Sequence, residues 1–354
     1  MLVSFRVTFS SATAPPISQI PSLSASNPRW AYVVRFLPNT QQFYTYTIPT
    51  DGSHPTGIAV VSNTTNIDVW FTDTEANQIG RLVYTSTVDY YFVTYTVPTT
   101  DSQPLNVTVS DGYVWFTERI GNAIGRLNPT TGQVTEFPVP TPSSGPADIA
   151  AAADGTLWFT EQNANKLASL VITTTTDFDF NEYDIPTVDS RPYGLVVESN
   201  DTVWFTETKG QKLTRFRTWQ EPPFVSSPQR TPGSYLYELT RGPTGHLWFT
   251  EIQANKIAKF HVSTISFVND YTVPTANSAP AGVAIDSQGR PWFTERNGNQ
   301  IGQLVPSTGV INEYLIPLPS VSPEGITVDA NDAVWFVCSM RTLIYLPVIV
   351  KGFT

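Results

Sequence analysis

Seven tryptophan–phenylalanine pairs recur along the chain: Trp70-Phe71, Trp115-Phe116, Trp158-Phe159, Trp204-Phe205, Trp248-Phe249, Trp292-Phe293 and Trp335-Phe336. The intervals between them are 45, 43, 46, 44, 44 and 43 residues. Such spacing demands an architecture assembled from equal units. The third unit shows what each contains. Pro146-Ala147-Asp148 opens it, and residues 149–152 are a short run of small and apolar side chains. Asp154-Gly155 is a turn pair, Leu157–Glu161 (LWFTE) is the next run, and Asn163-Ala164-Asn165 is a polar turn. Residues 167–170 and 178–183 are two further runs, ending before Ile185-Pro186. These are four short strands separated by residues that let a chain reverse, and no helical period persists. Repeats of about 40–50 residues with four strands each are the blades of a β-propeller. The expected fold is therefore all-β, with seven four-stranded blades. The tryptophans at 70, 115, 158, 204, 248, 292 and 335 should fill the wedges between blades.

The termini leave two ways to close the ring. Residues 33–36 and 43–47 look like the third and fourth strands of a blade, and so do residues 343–346 and 348–351. Either residues 32–47 complete the blade of Trp335, or the tail completes it and the first fifty residues form a degenerate eighth blade with residues 2–9 as one strand. The expected layout is an N-terminal extension over 1–29, partly strand, one propeller domain over 30–346, and a tail or closing strand over 347–354. One stretch departs from the pattern. Residues 217–233 carry four prolines and no clean alternation. Their Trp219, Phe224 and Arg230 are candidates for a specialised surface or for a cover on the blade edge.

Composition narrows the function classes. Among 354 residues only 14 % are charged and the net charge is −10, whereas average domains carry about 25 % charged residues. A chain that grips a phosphate backbone is normally basic, so nucleic acid is not an expected partner. The single Cys338 rules out a disulfide scaffold or a cysteine-built zinc site. His54, His246 and His261 are the only histidines. No apolar run approaches the roughly 18 residues of a membrane-spanning helix. The Thr-, Tyr- and Pro-rich composition favours an extracellular or cell-surface setting, although residues 1–28 lack the basic start and compact apolar run of a signal peptide.

In a propeller, ligands bind at a mouth of the central channel, built by loops entering the first strand and leaving the second. The second strands end in Asp73, Glu118, Glu161, Glu207, Glu251, Glu295 and Cys338. A carboxylate in six blades out of seven has two readings. One is structural: each accepts hydrogen bonds from backbone N–H groups or a hydroxyl, once per repeat. Asp73, Glu118, Glu161 and Glu207 are assigned to it. The other is a collar holding Mg or Ca, hard cations that want clustered oxygens. The loops entering the first strand share a Pro-x-Gly-like frame whose middle residues are Thr56, Leu105, Ala147, Tyr193, Tyr237, Ala281 and Glu324. Varied chemistry on a fixed frame is how a symmetric scaffold presents an asymmetric site. Thr56, Tyr193, Tyr237 and Glu324 are the candidate ligand-binding residues. His54, just before its frame, and Glu324 are the candidate acid–base groups.

The repeat also resembles a known family. Val114-Trp115-Phe116-Thr117-Glu118, followed by Asn122-Ala123-Ile124-Gly125-Arg126-Leu127 and Thr131-Gly132, is similar to the units of virginiamycin B lyase (streptogramin lyase) propellers. Trp292-Phe293-Thr294-Glu295 with Asn299-Gln300-Ile301-Gly302-Gln303-Leu304 repeats the string. The resemblance covers about residues 30–346. It implies seven blades and an enzyme that linearises a cyclic depsipeptide by elimination at its ester, with Mg²⁺, histidine and glutamate near the mouth; by that resemblance Glu251 or Glu295 matches a metal-ligand glutamate and Glu324 the further carboxylate. It also places the active histidine two residues beyond the glutamate of such a string. Here those positions hold Glu75, Ile120, Asn163, Lys209, Gln253, Asn297 and Met340.

Three functions are therefore expected to compete. The first is a non-catalytic propeller binding a protein, peptide or glycan through mouth and loops, and the missing histidines lean towards it. The second is an Mg-dependent lyase on cyclic esters. The third is a structural component of an extracellular assembly.

Overall fold

The computed structural model describes residues 4–7, 30–63, 66–85, 89–173, 177–228, 230, 232–243 and 245–341. Seven antiparallel sheets surround a channel. The first runs outward from the channel as Pro55–Ser62, Asn66–Asp73, Gln78–Thr85 and Tyr90–Thr96. Ser4–Val7 adds a fifth strand on its outer edge, pairing with residues 90–93. Blade 2 begins at Pro104, blade 3 at Pro146, blade 4 at Pro192, blade 5 at Leu236, blade 6 at Pro280 and blade 7 at Val321.

Ring closure takes the first of the two expected routes. Blade 7 consists of Val321–Val328 and Val334–Met340, completed by Ala31–Leu37 and Gln42–Thr47. Val34 sits opposite Phe336 on one side and Thr45 on the other. The strand from the chain's beginning is thus hydrogen-bonded between strands of one sheet, which locks the ring. Residues 2–9 as an eighth-blade strand and residues 343–351 as closing strands fall largely outside the described residues.

Tryptophan and phenylalanine are adjacent, so on a strand they point to opposite faces. Each pair therefore serves two wedges. Trp70 packs with Phe116 of the next blade, Trp115 with Phe159, Trp158 with Phe205 and Trp204 with Phe249. Trp248 packs with Phe293, Trp292 with Phe336, and Trp335 with Phe71 across the closure. All seven tryptophans are buried. The third strand gives way beneath the phenylalanine. A Cβ on Gly125 would lie 2.1 Å from the Phe116 ring, so only hydrogen fits there.

The threonine before each terminal carboxylate stitches neighbouring blades at the channel end. Thr117 Oγ1 accepts from Asn106 N at 3.1 Å and donates to Ala147 O of the next blade at 2.8 Å. Thr72, Thr160, Thr206, Thr250 and Thr294 likewise donate to the next blade, on Leu105, Tyr193, Tyr237, Ala281 and Glu324 carbonyls. Blade 7 has Val337 in that slot, so its seam with blade 1 is made without the hydroxyl.

The irregular stretch after Phe216 is mainly structural. Blade 4 has a fourth strand of only three residues, Phe224–Ser226. Phe224 packs on Phe216 with centroids 4.9 Å apart. Arg230 enters the fifth blade and binds Glu251 at 2.7 Å and Asp270 at 2.5 Å. Trp219 stays exposed, with the Arg217 guanidinium 5.0 Å from its ring.

Candidate functional site at the channel mouth

A cavity of about 260 Å³ opens where the Pro-x-Gly frames meet. It is lined by His54, Thr56, Tyr193, Tyr237 and Glu324 together with Glu238, Arg296 and the frame glycines. The four residues proposed from the frame, and His54 just before it, thus share one cavity. Glycine allows this convergence: a Cβ on Gly325 would lie 2.4 Å from the Thr56 carbonyl oxygen.

Tyr193 and Tyr237 stack with ring centroids 4.0 Å apart and planes at 19°. The Tyr237 hydroxyl donates to the Tyr193 hydroxyl at 2.7 Å. Arg296 Nη2 donates to Tyr237 Oη at 3.3 Å and forms an ion pair with Glu324 Oε2 at 2.5 Å. Ser322 Oγ and Arg341 Nη2 both donate to the Arg296 carbonyl oxygen, which fixes the backbone that carries the guanidinium. Burial raises the pKa of both tyrosines above the ordinary phenol value, against a lowering by Arg296. Both are neutral hydrogen-bonding groups near neutral pH. Thr56 Oγ1 donates to Leu105 O at 2.7 Å and lies 2.8 Å from Thr74 Oγ1, so its hydroxyl is largely occupied by the seam. His54 lines the cavity while its backbone N–H donates to Asp73 Oδ1 at 2.8 Å.

The second-strand carboxylates lie outside this cavity and differ among themselves. Asp73 fits the structural reading, accepting from Ser53 Oγ at 2.7 Å as well as from His54. Glu207 Oε1 accepts from Thr214 Oγ1. Glu251 is neutralised by Arg230. Glu118, Glu161 and Glu295 are buried with neither oxygen in a well-formed hydrogen bond. Burial, followed by the charges of Glu136, Glu182 and Glu313 respectively, pushes each of them up to about 8. Burial thus favours the protonated, uncharged form of all three near neutral pH. Cys338, the substitute in blade 7, is fully buried and its thiol is pushed up by that burial.

Four participants escape a reading of the frame's middle slot alone. Arg296 directly follows the glutamate of the blade 6 string. Asn106, Asp148 and Glu238 occupy the third slot of the frame, where Gly57, Gly194, Gly282 and Gly325 stand in the other blades. Comparing that slot across repeats would have singled them out. None of the seven positions two residues past the terminal carboxylate slot lines the cavity.

The donor set does not suit the Mg²⁺ that the fold family implies. Glu324 already shares its charge with Arg296, and neither Glu251 nor Glu295 reaches the cavity. Among the described residues no three His, Cys, Asp or Glu side chains are placed to hold a metal ion. The cavity instead offers a cation of its own. Arg296 Nε is buried without a hydrogen-bond partner, while the guanidinium stays charged.

Comparison with known proteins returns the same fold. The model of the virginiamycin B lyase family matches residues 33–221 and 169–344, and the chain belongs to that family. Virginiamycin B lyase from Staphylococcus aureus is 31% identical, with 80% of this chain and 94% of that one covered and a TM-score of 0.70. A streptogramin B lyase structure is 32% identical, covering 88% and 97%, with a TM-score of 0.72. A catalytically inactive histidine-to-alanine variant of the Staphylococcus aureus enzyme with quinupristin is 28% identical, covering 87% and 99%, with a TM-score of 0.71. Comparison with curated protein sequences gives no match. No helix among the described residues is long and apolar enough to cross a membrane.

Proposed function

We propose that the protein is a carbon–oxygen lyase that opens a cyclic ester or depsipeptide by elimination at the channel mouth. The carrying observation is Arg296: a charged guanidinium on the cavity wall. Elimination at an ester expels a carboxylate, and a guanidinium is built to receive one. The related lyases supply the reaction class. In this chain His54, on the same cavity, takes the proton from the substrate carbon that lies between a carbonyl and the carbon bearing the ester oxygen. The electron pair of that C–H bond becomes the new carbon–carbon double bond. The ester C–O bond breaks, and the departing carboxylate comes to rest on Arg296. Tyr193 and Tyr237 offer a flat neutral wall for the ring of the substrate, and the Tyr237 hydroxyl is held in place by Arg296. No step runs through a metal ion.

The test is incubation with cyclic depsipeptides and macrolactones in the presence of a chelator, followed by mass spectrometry. Elimination leaves the mass unchanged while the ring opens and an absorbing double bond appears; hydrolysis adds one water. Opened product of unchanged mass, lost in Arg296→Met and His54→Ala, is the expected result. One observation favours a second reading, binding without turnover: the Arg296–Glu324 ion pair occupies part of the guanidinium. Saturable binding with no opened product would establish that reading and overturn the first.

A further inference from the structure

Glu238 stands at the boundary between two spaces. It lines the mouth cavity and also the channel below it, a space of about 620 Å³ shared with Asn106 and Asp148. Asp148 has its acceptors filled. Its Oδ1 takes Ile149 N at 2.8 Å and Asn106 Nδ2, and its Oδ2 takes Leu195 N at 2.7 Å. Three donors on two oxygens are the environment of a carboxylate, which accepts only. These donors come from blades 2, 3 and 4, and Glu238 comes from blade 5, so four blades meet at one acid pair. Glu238 is close enough to feel the charges of Asp148 and Arg296, and its own charge acts on Tyr193 and Tyr237. Burial pushes both acids up. The Asp148 charge adds to the rise at Glu238, and Arg296 offsets only part of it. Asp148 accepts three N–H donors and Glu238 one, from Leu239, so a proton shared by the pair is favoured on Glu238.

We propose that Glu238, on the wall of the mouth cavity and beside an Asp148 carboxylate whose acceptors are filled by three N–H donors, is the hydrogen-bond donor to the oxyanion that develops on the substrate carbonyl. This rests on the lyase reading above. When the proton beside the carbonyl leaves for His54, negative charge moves onto the carbonyl oxygen before the C–O bond breaks. A neutral carboxylic acid stabilises that charge without giving up its own proton, a known use of a buried acid kept un-ionised. Electron balance is unchanged from the elimination already described. Asp148 is a positioning residue, acting through Glu238.

The experiment uses the full chain labelled with carbon-13 at glutamate carboxyls, titrated by NMR. The resonance missing from Glu238→Gln identifies Glu238 and separates it from Glu118, Glu161 and Glu295. It should remain in the acid form through neutral pH and move towards the ordinary carboxylate range in Asp148→Asn. Substituted phenols, read by absorbance, serve as oxyanion probes: the wild type should bind them as phenolates, with about a hundredfold weaker binding in Glu238→Leu and a smaller loss in Glu238→Gln, which still donates an N–H. Turnover, where present, should fall about a hundredfold in kcat in Glu238→Leu with KM little changed. Glu238 titrating as an ordinary carboxylate, or phenolate binding indifferent to Glu238→Leu, would overturn the proposal. Absence of ring opening with the titration and phenolate results as expected would instead sink the lyase reading and leave an oxyanion-binding site.

Discussion

The ends of the second strands and the channel mouth are a few residues apart in every repeat, yet they use repetition in opposite ways. At the strand ends six blades repeat a carboxylate, and each is absorbed by its own blade: by Ser53 and the His54 backbone, by Thr214, by Arg230, or by a proton. At the mouth the backbone repeats and the side chains do not. Tyr193, Tyr237, Arg296 and Glu324 come from blades 4 to 7 and touch one another across the seams, and Glu238 lines the same cavity. A residue present in every unit serves the unit; a residue present once is free to serve a ligand. The blade 5 carboxylate sharpens the contrast, because Arg230 there supplies the positive charge that a proton replaces in blades 2, 3 and 6.

The largest expected effect follows from that charge. Arg230→Ala should remove about 3–5 kcal/mol of stability, because it leaves Glu251 buried and Asp270 beside it without their counter-ion. Adding Glu251→Gln should return much of the loss. Denaturant unfolding measures both. A change below about 1 kcal/mol in the single variant would show that blade 5 takes up a proton as its neighbours do, and would dissolve the distinction.

The proton-bearing blades make the next prediction. Glu118, Glu161 and Glu295 keep their protons up to about pH 8 in the folded chain, but release them near pH 4.3 when unfolded. Between those values the unfolded state binds fewer protons than the folded one. Their contribution is complete below about pH 4.3 and declines as pH rises to about 8, by up to roughly 1.4 kcal/mol per pH unit for each group. Melting temperature should fall between pH 5 and pH 8, and the combined Glu-to-Gln variant at 118, 161 and 295 should flatten the slope. An unchanged slope in that variant would mean the carboxyls are ionised and satisfied in some other way.

The fold was legible because its strongest signal is geometric. Trp and Phe side by side must face two wedges, so a fixed interval between pairs already describes a closed ring of sheets. The mouth was half legible. Thr56, Tyr193, Tyr237 and Glu324 could be chosen because the frame around them was constant. Arg296 was hidden because it follows a glutamate that looked like the functional residue of its string. Glu238 and Asp148 were hidden because their importance depends on each other across the channel, between blades 90 residues apart in sequence. Closure at Val34 and Phe336 was ambiguous for a similar reason: two terminal stretches had the same pattern, and only pairing decides between them.

Thr117→Val tests the seam at smaller scale. It strands the Ala147 carbonyl and the Asn106 N–H in a closed interface, and should cost about 1–3 kcal/mol. Val337 shows that blade 7 tolerates valine in this slot, so a loss well under that range would mean the other seams are held as the closure seam is.

The smallest effect on stability should come from the mouth itself. Tyr193→Phe removes one hydroxyl that accepts from Tyr237 at 2.7 Å and leaves the ring stack intact. Its cost should stay within about 1 kcal/mol. The effect on ligands should be disproportionate. The Tyr237 hydroxyl loses the acceptor that orients it and is left with Arg296 as its partner at 3.3 Å, so its proton turns towards the cavity. Affinity for an anionic probe should then change severalfold while unfolding is nearly unmoved. A variant that lost stability without altering binding would place the tyrosine pair with the scaffold, and the line between repeated and unrepeated residues would have to be redrawn around Arg296, Glu238 and Glu324 alone.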